Sequence, residues 1–235
     1  MPEFHSAAIE CKTRCPRCGG VLFLNGPLLK VHCNNCQSEV DVSEALWGSI
    51  ISSILEDFSG FGEGDGRNSI MFTEGFQLEL LYGRLRARCP KCKTNFPEPL
   101  TPPETRCPNC DYRASVLDAP DWFLREARKR LSELAESIAE EKGKRPALEI
   151  GPIMIVDAVL PGEESEVDTV LSEPVVFSCP KCGGALDIDG RERIVPCKYC
   201  GSKLYIPDDL WFRIHPAKTV RRWFMVFAGK LPSVR

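Results

Sequence analysis

A chain of 235 residues with a formal net charge of −3 is not basic enough overall to read as a general nucleic-acid binder, and no apolar run approaches the length that spans a bilayer. Of its thirteen cysteines, twelve fall into three sets of four, which points to metal binding in a reducing compartment and away from a disulfide framework. The first twelve residues hold no apolar stretch behind a basic region, so no signal peptide is expected and the expected location is cytoplasmic, with no membrane partner.

The chain opens with a strand-like stretch, Ala7 to Arg14, in which Cys11 is the one cysteine outside the sets and reads as a small buried hydrophobe. The first set follows: Cys15, Cys18, Cys33 and Cys36. The second is Cys89, Cys92, Cys107 and Cys110, and the third is Cys179, Cys182, Cys197 and Cys200. Each is Cys-Pro-x-Cys, a gap of fourteen residues, then Cys-x-x-Cys. A Cys-x-x-Cys turn aims two sulfurs at one point, and a short hairpin brings the second pair to meet it, so each set suits one tetrahedral Zn²⁺. Each unit of about forty residues is too short to stand on a hydrophobic core; zinc, worth roughly 10–16 kcal/mol in finger peptides, supplies the deficit.

Between the first two knuckles, Val21 to Leu24, Asn25-Gly26 and a second apolar run to Val31 predict a hairpin turning at Asn-Gly. Ala185 to Ile188, Asp189-Gly190 and Arg191 to Val195 repeat it in the third set. The second set departs, because Pro97, Pro99, Pro102 and Pro103 cannot sustain a ladder and predict an extended tip. Lys93 also stands where Gly19 and Gly183 stand in the others, which predicts the least regular site and weaker metal binding there.

Trp47, Trp122 and Trp211 follow the sets at matching distances behind acidic or capping residues, so each set is expected to lead into a helix seated by its tryptophan. Ser43 to Phe58 has an amphipathic face, and Trp122 to Lys142 is the longest helix, with Glu126 and Arg130 as a supporting pair. Gly60 to Gly66 matches no phosphate loop and reads as a flexible linker. Strands are expected at Ile70 to Phe72, Phe76 to Arg88, Ala147 to Leu160 and Val170 to Phe177, the last two joined by an acidic loop. A basic and aromatic strand is expected within Thr219 to Ala228. The organisation is therefore 1–59, a ribbon with its helix; 60–69, a Gly-rich linker; 70–145, strands, the second ribbon and the long helix; 146–178, a hairpin; and 179–235, the third ribbon with a C-terminal helix or strand. The fold class is small, zinc-dependent α+β.

Cys-Pro-Arg-Cys-Gly-Gly at 15–20, Cys-Pro-Lys-Cys-Gly-Gly at 179–184 and Cys-Lys-Tyr-Cys-Gly at 197–201 resemble the knuckles of the zinc-ribbon, rubredoxin-like family. The resemblance covers the three cysteine segments, under half of the chain. It implies a zinc-bound hairpin used without catalysis in protein or nucleic-acid contacts. Gln37, Lys93 and Asp111 depart from the family's knuckle glycine.

Four thiolates close a coordination sphere, no catalytic motif is present, and His5, His32 and His215 lie scattered, so the chain is not expected to be an enzyme. The expected role is a scaffold for a protein partner. The alternative is nucleic-acid binding through Arg86, Arg88 and Lys91 near the second knuckle and Arg221, Arg222 and Trp223 near the C-terminus, since basic residues among aromatics suit a single strand. An S₄ set also suits iron, as in rubredoxin, whose gap is much longer; colour separates the two metals.

Overall fold

The computed structural model describes residues 3–58, 60–158, 177–186, 188, 194–207 and 220–231. In chain order these form β1 (Glu3–Arg14), β2 (Val21–Phe23), β3 (Lys30–His32), β4 (Glu39–Asp41), α1 (Glu44–Phe58), β5 (Gly66–Thr73), β6 (Phe76–Arg84), β7 (Glu104–Arg106), β8 (Arg113–Asp118), α2 (Asp121–Lys142), β9 (Glu149–Val156), β10 (Phe177–Ser178), β11 (Ala185–Leu186), β12 (Ile194–Pro196), β13 (Lys203–Tyr205) and β14 (Trp223–Lys230). The chain is α+β, and mostly sheet.

Strand β14 organises it. Trp223-Phe224-Met225-Val226-Phe227 is an unbroken apolar run, as suits a strand covered on both faces. It pairs antiparallel with β1 on one side and β9 on the other, at the middle of an eight-stranded sheet ordered β5-β6-β1-β14-β9-β8-β7 with β2 added to β1. Alternation along each strand then assigns sides. Trp223, Met225 and Phe227, with Ala7, Ile9, Ile153 and Ile155, share one core with α1 and α2. Phe224, Val226, Ala8, Val116 and Val156 share a second core with Phe96 and Leu100 from the proline-rich gap of the second cysteine set.

Helix α1 starts where Ser43 Oγ accepts the Leu46 N–H at 2.9 Å, and it buries the apolar face read from its period, Trp47 included. Trp47 Nε1 donates to Leu28 O at 2.8 Å, which seats the helix on the loop of its own cysteine set. Trp122 is only half-buried, and Phe123 beside it takes the core position in α2. The helices cross at Gly48, where a Cβ would come within 2.2 Å of Glu126 Oε1. That carboxylate meets Arg130 at 2.7 Å, the pair expected from their spacing.

Several expectations are corrected. Asn25-Gly26 is not a hairpin turn: β2 pairs with β1, and β3 pairs with β4. Distant partners win this stretch, since Asn25 Oδ1 accepts the Arg221 N–H at 2.9 Å and Leu24 O accepts the Trp223 indole at 3.1 Å. Strand β5 begins at Gly66, inside the stretch read as a linker, and Gly64 N–H donates to Arg84 O at 2.8 Å. The first two cysteine sets are not units without a core; β1, β2, β7 and β8 carry them into the common sheet. The turn at Asp189-Gly190, the helix at Trp211, His215 and the strand from Val170 to Val176 lie outside the described residues.

Candidate metal centres

Each Cys-x-x-Cys forms the same turn. The N–H four residues after the leading cysteine donates to that cysteine's carbonyl: Gly19 to Cys15, Gln37 to Cys33, Lys93 to Cys89, Asp111 to Cys107, Gly183 to Cys179 and Gly201 to Cys197, at 2.8–3.1 Å. The leading N–H in turn donates to the carbonyl five residues on, from Cys15 to Gly20 at 2.7 Å through Cys197 to Ser202 at 2.9 Å. This geometry needs a left-handed residue after the second cysteine. Gly19, Gly183 and Gly201 supply it at φ 72, 71 and 69, while Gln37, Lys93 and Asp111 adopt it at φ 55, 64 and 55. The second set is therefore as regular as the others, and Lys93 bears the backbone strain that a glycine avoids.

The turns bring the sulfurs together. Cys15 and Cys36 Sγ are 3.8 Å apart and Cys18 and Cys33 3.6 Å. Cys89 and Cys110 are 3.5 Å apart, Cys92 and Cys107 3.3 Å, Cys179 and Cys200 3.7 Å, and Cys182 and Cys197 3.6 Å. Within each set all four sulfurs lie within 4.8 Å of one another. A tetrahedron with metal–sulfur bonds of about 2.3 Å has edges of about 3.8 Å, against about 2.05 Å for a disulfide. The three clusters fit a metal ion in their spacing and donor chemistry.

A hydroxyl recurs two residues beyond one cysteine of each cluster, a signal legible as Cys-x-Ser or Cys-x-Thr that spacing alone had not singled out. Ser38 meets Cys36 at 3.0 Å, Thr94 meets Cys92 at 3.4 Å and Ser202 meets Cys200 at 3.4 Å. Burial pushes the Cys36 thiol up, yet Ser38 and the neighbouring sulfurs hold it down at about 6. The Thr94 hydroxyl holds Cys92 down at about 5, and that of Ser202 holds Cys200 at about 6. Cys33 goes the other way, pushed up to about 12 by burial. Four crowded sulfurs cannot all ionise without a cation between them, so metal binding displaces protons.

The remaining cysteine, Cys11, is buried in β1 and its thiol is pushed up to about 12 by that burial, which is the environment of an inert hydrophobe. Most of the residues read as a nucleic-acid set are buried or engaged within the chain. Trp223 is fully buried, edge-on to Trp47, so its ring is closed to a base. Arg222 Nε meets Glu10 at 2.6 Å and Arg86 meets Glu63 at 3.0 Å. Arg88 is half-buried and bridges to Asn95, Arg221 is half-buried beside Asn25, and Lys91 lies 5.5 Å from the Tyr112 ring centre.

Asp157, which sequence did not flag, is buried where β9 ends, at φ 59. Its Oδ1 accepts from the Tyr112 hydroxyl at 2.8 Å, and Oδ2 has no hydrogen-bond partner among the described residues. Burial raises its pKa against the opposing pull of Tyr112 and Arg221. Among the described residues, no helix is long and apolar enough to cross a membrane. Comparison with protein-family models, curated proteins and solved structures finds no match for the chain.

Proposed function

We propose that the chain is a non-enzymatic scaffold in which three zinc ribbons each hold one structural Zn²⁺ and present rigid surfaces to a protein partner in the cytoplasm. The observation that carries this reading is one turn geometry repeated six times around three sulfur tetrads. Four thiolates leave no coordination position for water or substrate, so zinc held this way shapes the chain and does not activate a ligand. The nucleic-acid alternative loses its main support with Trp223 inside the sheet and Arg86 and Arg222 paired to carboxylates.

The test is elemental analysis and native mass spectrometry of protein purified under reducing conditions. A colourless protein with one zinc for each of the three tetrads is expected. A red, iron-loaded protein, or a folded one without stoichiometric metal, overturns the metal assignment. For the role, affinity purification from the native cell compares wild type with Cys179→Ser; recovery of nucleic acid without a protein partner overturns the adaptor reading.

A further inference from the structure

We propose that the chain pairs with a second copy of itself through β5, in an antiparallel two-fold contact centred on Ile70. The pairing goes beyond the adaptor reading and needs nothing from the metal clusters. Among the described residues, β5 has β6 as its one strand partner, so its far side is an open edge of the main sheet. The two ends of that sheet differ. At one end β7 has three residues, two of them charged, and Pro102 and Pro103 stand just before it, all features that discourage a further strand. At the other, β5 runs for eight residues in unbroken register with β6 and holds no proline. Its one charge is Arg67, which Asp57 meets at 2.6 Å. Ile70 on it is 62% exposed and Phe72 78%.

The phase of hydrogen bonding along β5 decides which residues face outward. Glu74 and Gly75, at φ 50 and 81, form the two-residue turn that joins β5 to β6, so Thr73 and Phe76 are a hydrogen-bonded pair. At the strand's other end the Arg84 N–H donates to Asp65 O at 2.9 Å, which is the same phase. The odd-numbered residues between these points therefore direct their amides at β6. The backbone N–H and C=O of Asn68, Ile70 and Phe72 point off the sheet.

An antiparallel copy with Ile70 opposite Ile70 matches all of these groups, because Asn68 then falls opposite the second copy's Phe72 and Phe72 opposite its Asn68. Ile70 also meets the second copy's Phe72 on the diagonal, so four apolar side chains gather on one face. Arg67 falls opposite Thr73, and no like charges meet. Neighbouring registers lose this fit. Centring on Phe72 sets Ile70 against Glu74 in the turn, and centring on Asn68 sets Phe72 against Gly64, outside the strand. The strand is complementary to itself, which selects a second copy over an unrelated segment. One long open edge on the main sheet closes such a contact as a pair and not as a filament. Eight residues a side make a small interface, so the expected dissociation constant is on the order of 10 μM.

The test is sedimentation velocity of the full-length chain under reducing conditions, from about 1 to about 200 μM, where a monomer–dimer equilibrium is expected. Ile70→Pro removes the outward N–H without touching a bond to β6, and Ile70→Lys sets two lysines opposite each other. Each should weaken dimerisation about tenfold or more. An equimolar mixture of Ile70→Lys and Ile70→Glu should dimerise more tightly than either variant alone, a recovery that misfolding cannot produce and that requires position 70 to meet itself. Phe4→Ser, which removes an exposed apolar side chain on β1, should leave dimerisation as it was. A monomer throughout the range overturns the proposal. So does a dimer indifferent to Ile70→Pro and Ile70→Lys, an equal loss in Phe4→Ser, or a mixture that shows no recovery.

Discussion

The first two cysteine clusters and the third share a turn geometry but rest on different supports. The first two grow out of strands of the common sheet, with apolar layers on both sides of it. Among its described residues, the third stands on four short strands in two separate ladders, and the buried apolar cluster there is Cys179, Leu186 and Cys197. Two of those three are candidate metal ligands, so among the described residues the sulfur cluster and the buried core nearly coincide here. Within the described residues, then, the same motif is set twice into a large sheet and once against a small apolar cluster.

The sharpest way to break that contrast is Cys197→Ser. On the zinc reading it removes a ligand from a site of the kind worth roughly 10–16 kcal/mol in finger peptides. Amides of β12 and β13 should lose hydrogen-exchange protection while those of β1 and β14 keep theirs; loss across the sheet would erase the distinction. Phe224→Ala is the converse, a cavity in the sheet's second core expected to cost about 3–5 kcal/mol in thermal unfolding. On the zinc reading, the third cluster should hold as much metal in that variant as in wild type.

A smaller effect is expected at Asp157, on the last turn of backbone before the chain leaves the sheet. A folded pKa raised by burial means the group favours folding while protonated; that contribution is complete below the ordinary carboxylate value of about 3.9 and is lost as pH rises through the folded pKa. At pH 7 the wild type carries this penalty. Asp157→Asn keeps an acceptor for Tyr112 and tolerates the left-handed backbone, so it should unfold at a higher temperature than wild type at pH 7, with the gap narrowing toward acid pH. Equal melting at pH 7 would show the carboxylate to be compensated. Smallest is Lys93→Gly, which relieves a positive φ and should stabilise the second cluster by about 1 kcal/mol or less, read as a small rise in melting temperature.

Cysteine spacing announced the sulfur clusters because their geometry is local: each turn is complete within six residues, from Cys15 N to Gly20 O for example. The face of α1 and the Glu126–Arg130 pair were legible for the same reason, since they follow from helical period. What failed were choices made by distant partners. Asn25-Gly26 has the composition of a tight turn, but Asn25 accepts from Arg221 and its neighbour Leu24 from Trp223, near the other end of the chain. Arg222 and Trp223 looked like a binding surface because a strip of basic and aromatic residues does not reveal whether its faces will be covered. Lys93 misled in the opposite direction, as a non-glycine residue that accepts the strained backbone its turn requires.

The pairing of β1 with β14 has a consequence for how the protein is made. Of the described strands, β14 is translated last, and the two it separates, β1 and β9, cannot be bridged until it arrives. Each cysteine turn closes over a handful of residues and needs only an ion, whereas the sheet's central contacts span most of the polypeptide. If the clusters bind metal as proposed, ion capture can come early in synthesis while the seam closes at the end. Until β14 is made, the facing edges of β1 and β9 have no strand between them, and those edges are where mispairing with another copy would begin.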